Sequence, residues 1–474
     1  MKEWIEEEMG ALDLGDERLN RRAKHLLGRL WENPQASPKG AMGTHAEMRA
    51  AYRFFENPRC QEEAILKPHR QATLERVKKQ ELVLVIQDTT ELDYSRQKKM
   101  EGSGPLSVEA RQGFFMHSQW VVSGQRLPLG MWQTQIYARH PKVGVSKDRK
   151  QKPIEEKESY RWLEGYRQAC ALAQEAPQTR VVSVSDREGD IYEVFTEGQE
   201  RRRQGLAAAD FVIRCKENRV LSAEPGTLQK HLLPAVEHQP VIGGVWFEVR
   251  AKEQLKKKHG NRKKTFRQAR RVRQIIRVGQ VTLRPPWRKG PKLPPVSLWV
   301  LQATEVDPPA DQDPINWVIL TSLKIGNLKE ALEVLRIYMA RWEIEVFHRV
   351  LKSGCRVEKL QLKAKDRIKP ALALYVIVAW RILYLMKLGR QCPQLDCDWV
   401  FAEAEWKSLS CVVHGRDAPR LKPTLGQMVT MVAGFGGYKG RKGDGPPGPE
   451  SIWRGLQALH YITLAWETFG PDTS

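Results

Sequence analysis

The sequence predicts an α/β protein: a strand-rich centre flanked by helical segments at both ends. Three observations carry this. Apolar residues recur at helical spacing near the N-terminus and again from 328 onward. Between 82 and 213, short apolar runs alternate with polar helical stretches, the texture of buried strands and their crossovers. From 216 to 320 the pattern becomes in–out alternation, as half-buried antiparallel strands require. A chain of 474 residues suffices for several domains and for a core without disulfide or metal staples. With 41% hydrophobic and 28% charged residues, wholesale disorder is excluded. The net charge of +22 calls for a polyanionic partner, nucleic acid first and an anionic membrane surface second.

The N-terminal segment is helical. At 16–30, Leu19, Leu26, Leu27 and Leu30 lie on one side, and Arg18, Arg21, Arg22 and Lys24 lie elsewhere. A Pro/Gly-rich break at 33–43 precedes a second helix around 46–55, ended near Asn57-Pro58. Two short basic helices suit DNA contact, and on charge alone a solvated face fits equally. The run Leu82-Val83-Leu84-Val85-Ile86 has the mark of a strand buried on both faces, ending at Gln87-Asp88-Thr89-Thr90. Strands follow around 114–122 and 127–137, then a helix over 152–175, a strand at 179–185 ended by Asp186, a helix over 191–203 and a strand at 211–213. Three strands, helix, strand, helix, strand is the order of a ribonuclease-H-like domain. The closing helix does not come, and 216–320 gives a different, strand-alternating segment instead.

That segment holds the most basic stretch of the chain. Residues 250–277 carry 13 Lys/Arg against Glu253 alone, a net +12 of the total +22. Clustering of this kind favours a polyanion-binding arm or groove over a uniformly solubilising surface, with a plain basic loop as the alternative. A long helix is expected over 328–354, with Leu332, Leu335, Tyr338 or Met339, Trp342 and Val346 as its buried stripe. Residues 368–474 read as mainly helical, interrupted at 433–450, where seven Gly and three Pro predict a mobile loop. No run reaches the ~18 consecutive apolar residues of a membrane span. The nearest, 371–386, contains Arg381 and reads as a buried helix. The acidic N-terminus has no signal-peptide core. Seven cysteines without CxxC or zinc spacing read as reduced core residues of a cytoplasmic protein that does not enter membranes.

Asp88 and Asp186 are expected just past the ends of buried strands, where ligands bind in open sheets. If those strands are neighbours, the two carboxylates are hard oxygen ligands for Mg2+ or Mn2+, and a third from a facing helix would complete a two-metal site. Each Asp fits a turn or helix cap as well, and Glu188 and Asp190 compete with Asp186. The late helix is more specific. Tyr338, Arg341, Glu345 and Lys352 follow one another at offsets of 3, 4 and 7, which puts all four near one helical face. Glu345 can then face metal ions while Arg341 and Lys352 grip phosphates. An ordinary salt-bridged helix has the same Arg341–Glu345 spacing.

At this point the sequence resembles a family. The Tyr-Arg-Glu-Lys signature, with Asp88 in QDTT and Asp186 in SDREGD, resembles the DDE cut-and-paste transposases of insertion-sequence-four type, and within them the transposon-five branch. The landmarks LGDER (14–18), AYRFFENP (51–58), EKESYRWL (156–163), FVIRCK (211–216), NWVILT (316–321), YMARWEIEVFHRVLKSG (338–354) and IWRGLQAL (452–459) spread the resemblance over nearly the whole chain. It implies that Asp88, Asp186 and Glu345 form the metal-binding catalytic triad, with two Mg2+ ions or Mn2+ in their place. It implies that Tyr338, Arg341 and Lys352 hold the cleaved transposon end, that Trp317 serves base flipping at a hairpin intermediate, and that Arg214 is a basic neighbour of the site. Arg18, Arg22 and Arg53 match positions that read the transposon end. The domains implied are 1–65 for end binding, 66–367 for ribonuclease-H-like catalysis with a β-rich insertion at about 216–320, and 368–474 for dimerisation. The partners implied are double-stranded DNA, as transposon ends and target, and a second copy of the chain in a synaptic complex, in the bacterial cytoplasm at the nucleoid. Two alternatives share these residues: a structure-selective nuclease without strand transfer, and a non-catalytic DNA-binding inhibitor.

Overall fold

The computed structural model describes residues 3–97, 100–108, 110–139, 152–222, 229–249, 252–258, 261–287, 292–310, 312, 314–415 and 422–470, with backbone only for 252–258 and 261–267. The chain forms two compact units, Met1–Ser146 with Trp342–Ser474, and Lys147–Arg341.

The first unit carries strands β1 (Leu82–Asp93), β2 (Gly104–Pro105), β3 (Gln112–Ser123) and β4 (Pro128–Tyr137). β3 pairs antiparallel with β1 and β4, and its first residues pair with β2. The wholly buried run of β1 ends at Gln87, yet its pairing continues to Asp93. Asp88 therefore lies inside the strand, opposite Ser118, and not past its end. Apolar patterning reports burial, whereas the ladder continues through half-exposed residues, so the two endpoints differ.

Helices Glu3–Met9, Glu17–Glu32, Pro38–Ala41, His45–Glu56 and Glu62–Lys78 precede this sheet. The expected break at 33–43 thus contains one helical turn. Asp16 caps the helix Glu17–Glu32 by accepting from the Arg18 N–H. Buried Glu8 accepts from His69 Nδ1 at 2.6 Å and from Arg76, while His69 Nε2 accepts from the Met131 N–H at 3.0 Å. His69 is thereby a neutral imidazole donating from Nδ1, tying the first helix to β4.

At the centre lies the helix Lys365–Gln391, buried on all sides from Ala371 to Leu383. It is long and apolar enough to cross a membrane, but 83% of its most apolar window is covered by protein. Trp380 Nε1 donates to the Pro128 carbonyl at 3.1 Å, and the Tyr375 hydroxyl to that of Ala36 at 2.8 Å. The C-terminal helices are Glu403–His414, Leu425–Phe435 and Pro449–Phe469. The loop between the last two is tied by Tyr438 Oη to the Gly445 carbonyl at 2.7 Å and Arg441 N to Asp444 at 2.8 Å. Five cysteines are buried as expected, but Cys392 is exposed and Cys411 half-exposed.

The second unit runs helix Tyr160–Glu175, β5 (Arg180–Ser185), helix Tyr192–Arg203, β6 (Asp210–Arg214) and helix Leu232–Glu237. Then come β7 (Val241–Val249), β8 (Lys252–Lys258), β9 (Asn261–Arg267), β10 (Arg270–Leu283), β11 (Val296–Glu305), β12 (Asn316–Thr321) and helix Leu328–Met339. β5 and β6 pair in parallel, and β12, β11, β10 and β7 extend the sheet antiparallel, in that order. β8 and β9 form a separate hairpin. The insertion is β-rich as expected, but the charges at 250–267 belong to side chains outside the described residues. Two helical expectations change. The helix expected from 152 begins at Tyr160, after a 3-10 turn at Ile154–Glu156. The helix expected over 328–354 stops at Met339, restarts as Trp342–Arg349 and closes with a π turn at Val350–Gly354. Its second segment buries Ile344, Phe347 and His348 and leaves Trp342 49% exposed, so a stripe extrapolated at constant pitch fails beyond the break.

Candidate active site

In the first unit, register decides which way Asp88 faces. Residues directly opposite in a ladder point to the same side of a sheet, and so do residues two apart. Asp88 therefore shares a side with its partner Ser118 and with Trp120. Helix Trp342–Arg349 lies on that side: His348 Nε2 meets Ser118 Oγ at 3.2 Å, and Phe347 stacks on Trp120 at 4.5 Å. Glu345, one turn before His348, is half-buried, as is Asp88, whose Oδ1 accepts from the Thr89 N–H at 2.7 Å. Burial, with Lys352 adding to it, pushes the His348 pKa down to about 3, so the imidazole is neutral. Lys352 donates to the Glu91 carbonyl at 2.8 Å and pairs with Glu358 at 3.2 Å, seated three residues along β1 from Asp88.

In the second unit, the SDREGD segment divides its acids by task. Asp186 directly follows β5, and its Oδ1 accepts from the Glu188 N–H at 2.8 Å. Gly189 turns the chain back so tightly that a Cβ there would lie 2.1 Å from Ser185 Oγ. Asp190 is buried and fully used, accepting from Arg219 and from the N–H groups of Lys216 at 2.8 Å and Glu217 at 3.1 Å. Glu188 pairs with Arg161 at 3.3 Å. Among the described residues Asp186 alone of these three carries no ion pair; Asp190 is spent on Arg219, whereas the pair Glu188 makes with Arg161 is exposed. Ser185 opposite Ile213 in the parallel pair sets Asp186 and Arg214 at the same strand ends. Arg214 donates to the Asn316 carbonyl at 3.3 Å. Trp317 is half-buried, stacked on Phe247 at 5.4 Å and edge-on to buried Tyr338 at 5.8 Å. Arg341 is buried at the end of this unit. The four signature residues thus do not share one continuous helix: Tyr338 is in the first segment, Arg341 lies in the break, and Glu345 and Lys352 follow it.

Among the described residues no three His, Cys, Asp or Glu side chains form a group able to hold a metal ion. The unit holding Asp88 and Glu345 supplies two carboxylates on one side of a sheet; the other supplies Asp186. Their chemistry, half-exposed carboxylate oxygen, fits a hard divalent cation. Of the end-reading candidates, Arg18 and Arg53 are exposed and Arg22 half-buried, with Arg18 bound to Asp16 at 2.9 Å. Sequence reasoning missed Ser118, His348 and Phe247. His348 stands at helical spacing from Glu345, which could have flagged it; the other two are visible only through register.

Comparison with known families adds three matches. Residues 1–60 match the transposase DNA-binding family, 198–381 the transposase DDE domain, and 377–465 the transposase Tn5 dimerisation domain. The chain is a DNA transposase of DDE type. The transposase accordingly binds DNA, forms dimers and depends on a divalent metal ion. Its DDE match includes Arg214, Trp317, Tyr338, Arg341, Glu345 and Lys352 and begins after Asp88 and Asp186. Its DNA-binding match includes Arg18, Arg22 and Arg53. Its C-terminal helices leave Val412 56%, Tyr461 54% and Leu464 51% exposed within the dimerisation match, an apolar set suited to a second copy.

Proposed function

We propose that this transposase works by cut-and-paste chemistry of insertion-sequence-four type, with Asp88, Asp186 and Glu345 as its metal-holding triad. The observation that carries the proposal is the shared side of Asp88 and the Glu345 helix, held by His348 on Ser118. Two Mg2+ ions, or Mn2+ in their place, would supply an activated water or 3′-hydroxyl and steady the leaving oxygen. The three carboxylates hold and orient that centre. Arg341 and Lys352 neutralise phosphate at the cleaved end, with Arg214 beside Asp186, and Tyr338 backs Trp317. The half-buried indole offers a stacking face to a base turned out of the duplex at a hairpin. Arg18, Arg22 and Arg53 read the transposon end, and two copies synapse two ends through the C-terminal helices.

On this reading the division of labour is 1–65 for end binding, 66–367 for a ribonuclease-H-like catalytic domain with its insertion, and 368–474 for pairing. Three antiparallel-linked strands followed by a parallel pair support that domain type. The working place is the bacterial cytoplasm, on the nucleoid. The test uses the full-length protein, Mg2+ and a linear fragment with the gene's native flanks, beside Asp88→Ala and Glu345→Ala. A denaturing gel should show excised fragments, covalently closed hairpin ends and joined products, all absent from both variants. Cleavage without joining in the unaltered protein overturns the cut-and-paste reading in favour of a nuclease.

A further inference from the structure

On β7 successive side chains face opposite sides of the sheet. Phe247 joins Trp317 and Tyr338 on one side. Its neighbour Trp246 stands on the other, 55% exposed, on the last strand of the sheet. Across from it on β10 is Arg273, with Arg271 on the diagonal, and their guanidinium carbons lie 6.0 and 5.0 Å from the indole centre. Both arginines are exposed, and neither has an ion pair among the described residues, although Glu248 lies directly opposite Arg271. A large aromatic ring left in water between two guanidiniums that have no ion pair among the described residues contributes nothing to the core. It is the surface composition that binds nucleic acid, cationic for phosphate and flat for sugar or base.

We propose that this outer face of β7 and β10 docks target DNA, a duplex distinct from the transposon end. The inference rests on the strand-transfer reading above. Two observations select the occupant. The face is cationic, with Arg271 and Arg273 flanking Trp246, while of its amides Asn316 is tied to Thr304 at 3.2 Å and Gln302 is buried. Guanidiniums that grip phosphate carry no sequence information directly, which suits a target that differs at every insertion. Trp317, Phe247 and Tyr338 lie on the opposite side of the same sheet. Duplex DNA has a persistence length of about 50 nm and does not fold round a sheet edge, so a duplex on the outer face is a separate segment.

The test compares the full-length protein with Trp246→Ala and with Arg271→Ala/Arg273→Ala. Excision of a fragment with native flanks, joining into a supplied plasmid, and affinity for an unrelated linear duplex over a range of salt are measured, with melting as a control. Trp246→Ala should join about tenfold less at limiting target, equivalent to about 1.4 kcal/mol of lost target binding, while excision stays within about twofold. The double arginine variant should lose about two from the slope of log affinity against log salt, roughly 0.9 per phosphate contact. The inference is overturned if joining and unrelated-duplex binding are unchanged, or if excision falls as far as joining. It is also overturned if only duplexes bearing the native ends bind less, or if only the oligomeric state changes. If the unaltered protein excises but never joins, the strand-transfer reading fails, and the salt slope alone decides whether this face binds duplex.

Discussion

Asp88 and Asp186 look alike in sequence, each closing an apolar run, yet the structure holds them by different means. Asp88 sits within a twelve-residue strand, and its direction is set by a partner strand and by a helix more than two hundred residues away, through Ser118 and His348. Asp186 sits in a local turn, positioned by its own neighbours Glu188, Gly189 and Asp190. Errors at Asp88 must therefore arise from distant residues, and errors at Asp186 from adjacent ones.

The largest effect expected tests the local side. Asp186→Ala should lower cleavage by about a thousandfold or more while leaving the melting temperature nearly unchanged, since it removes several kcal/mol of metal-borne stabilisation and no packing. Asp190→Ala, four residues on, should do the reverse. It strands the buried Arg219 and should cost about 3–5 kcal/mol of stability in denaturant unfolding. Inactivation by Asp190→Ala of a fully folded protein would break the distinction.

Next is the distant side. His348→Ala removes the contact that holds the Glu345 helix against Ser118. The metal concentration for half-maximal cleavage should rise about 10–100-fold, the usual cost of losing a group that orients a ligand. Ser118→Ala should move it in the same direction. A fall in rate with no change in metal dependence would mean that His348 is only packing.

The smallest effect concerns the same side of the sheet further out. Burial pushes the Glu62 pKa up to about 7 from 4.5, and its carboxyl accepts from Thr134, which lies opposite Ser118. A raised carboxyl pKa adds stability that is fully present below pH 4.5 and is lost as pH rises through about 7. Glu62→Gln should therefore melt higher than the unaltered protein at pH 8, with the gap closing by pH 5, as read by thermal unfolding. Equal melting at both values would mean that Glu62 ionises without penalty.

Much of this was legible in the sequence because it is local. The apolar run of β1, the strand before Asp186, the helices at both ends and the insertion's alternation follow from side-chain periodicity, which burial imposes residue by residue. The charge concentrated at 250–277 and the spacing of Tyr338, Arg341, Glu345 and Lys352 are likewise properties of the chain itself. Tertiary structure alone decided that Asp88 lies inside its strand, that the late helix breaks after Met339, and that Asp190 is spent on Arg219 while Asp186 is not. It also put Phe247 and Trp246 to different uses on opposite sides of one strand. The reason is the same in each case. Periodicity tells which residues are covered, but which partner covers them depends on pairing register and on contacts between residues far apart in the chain.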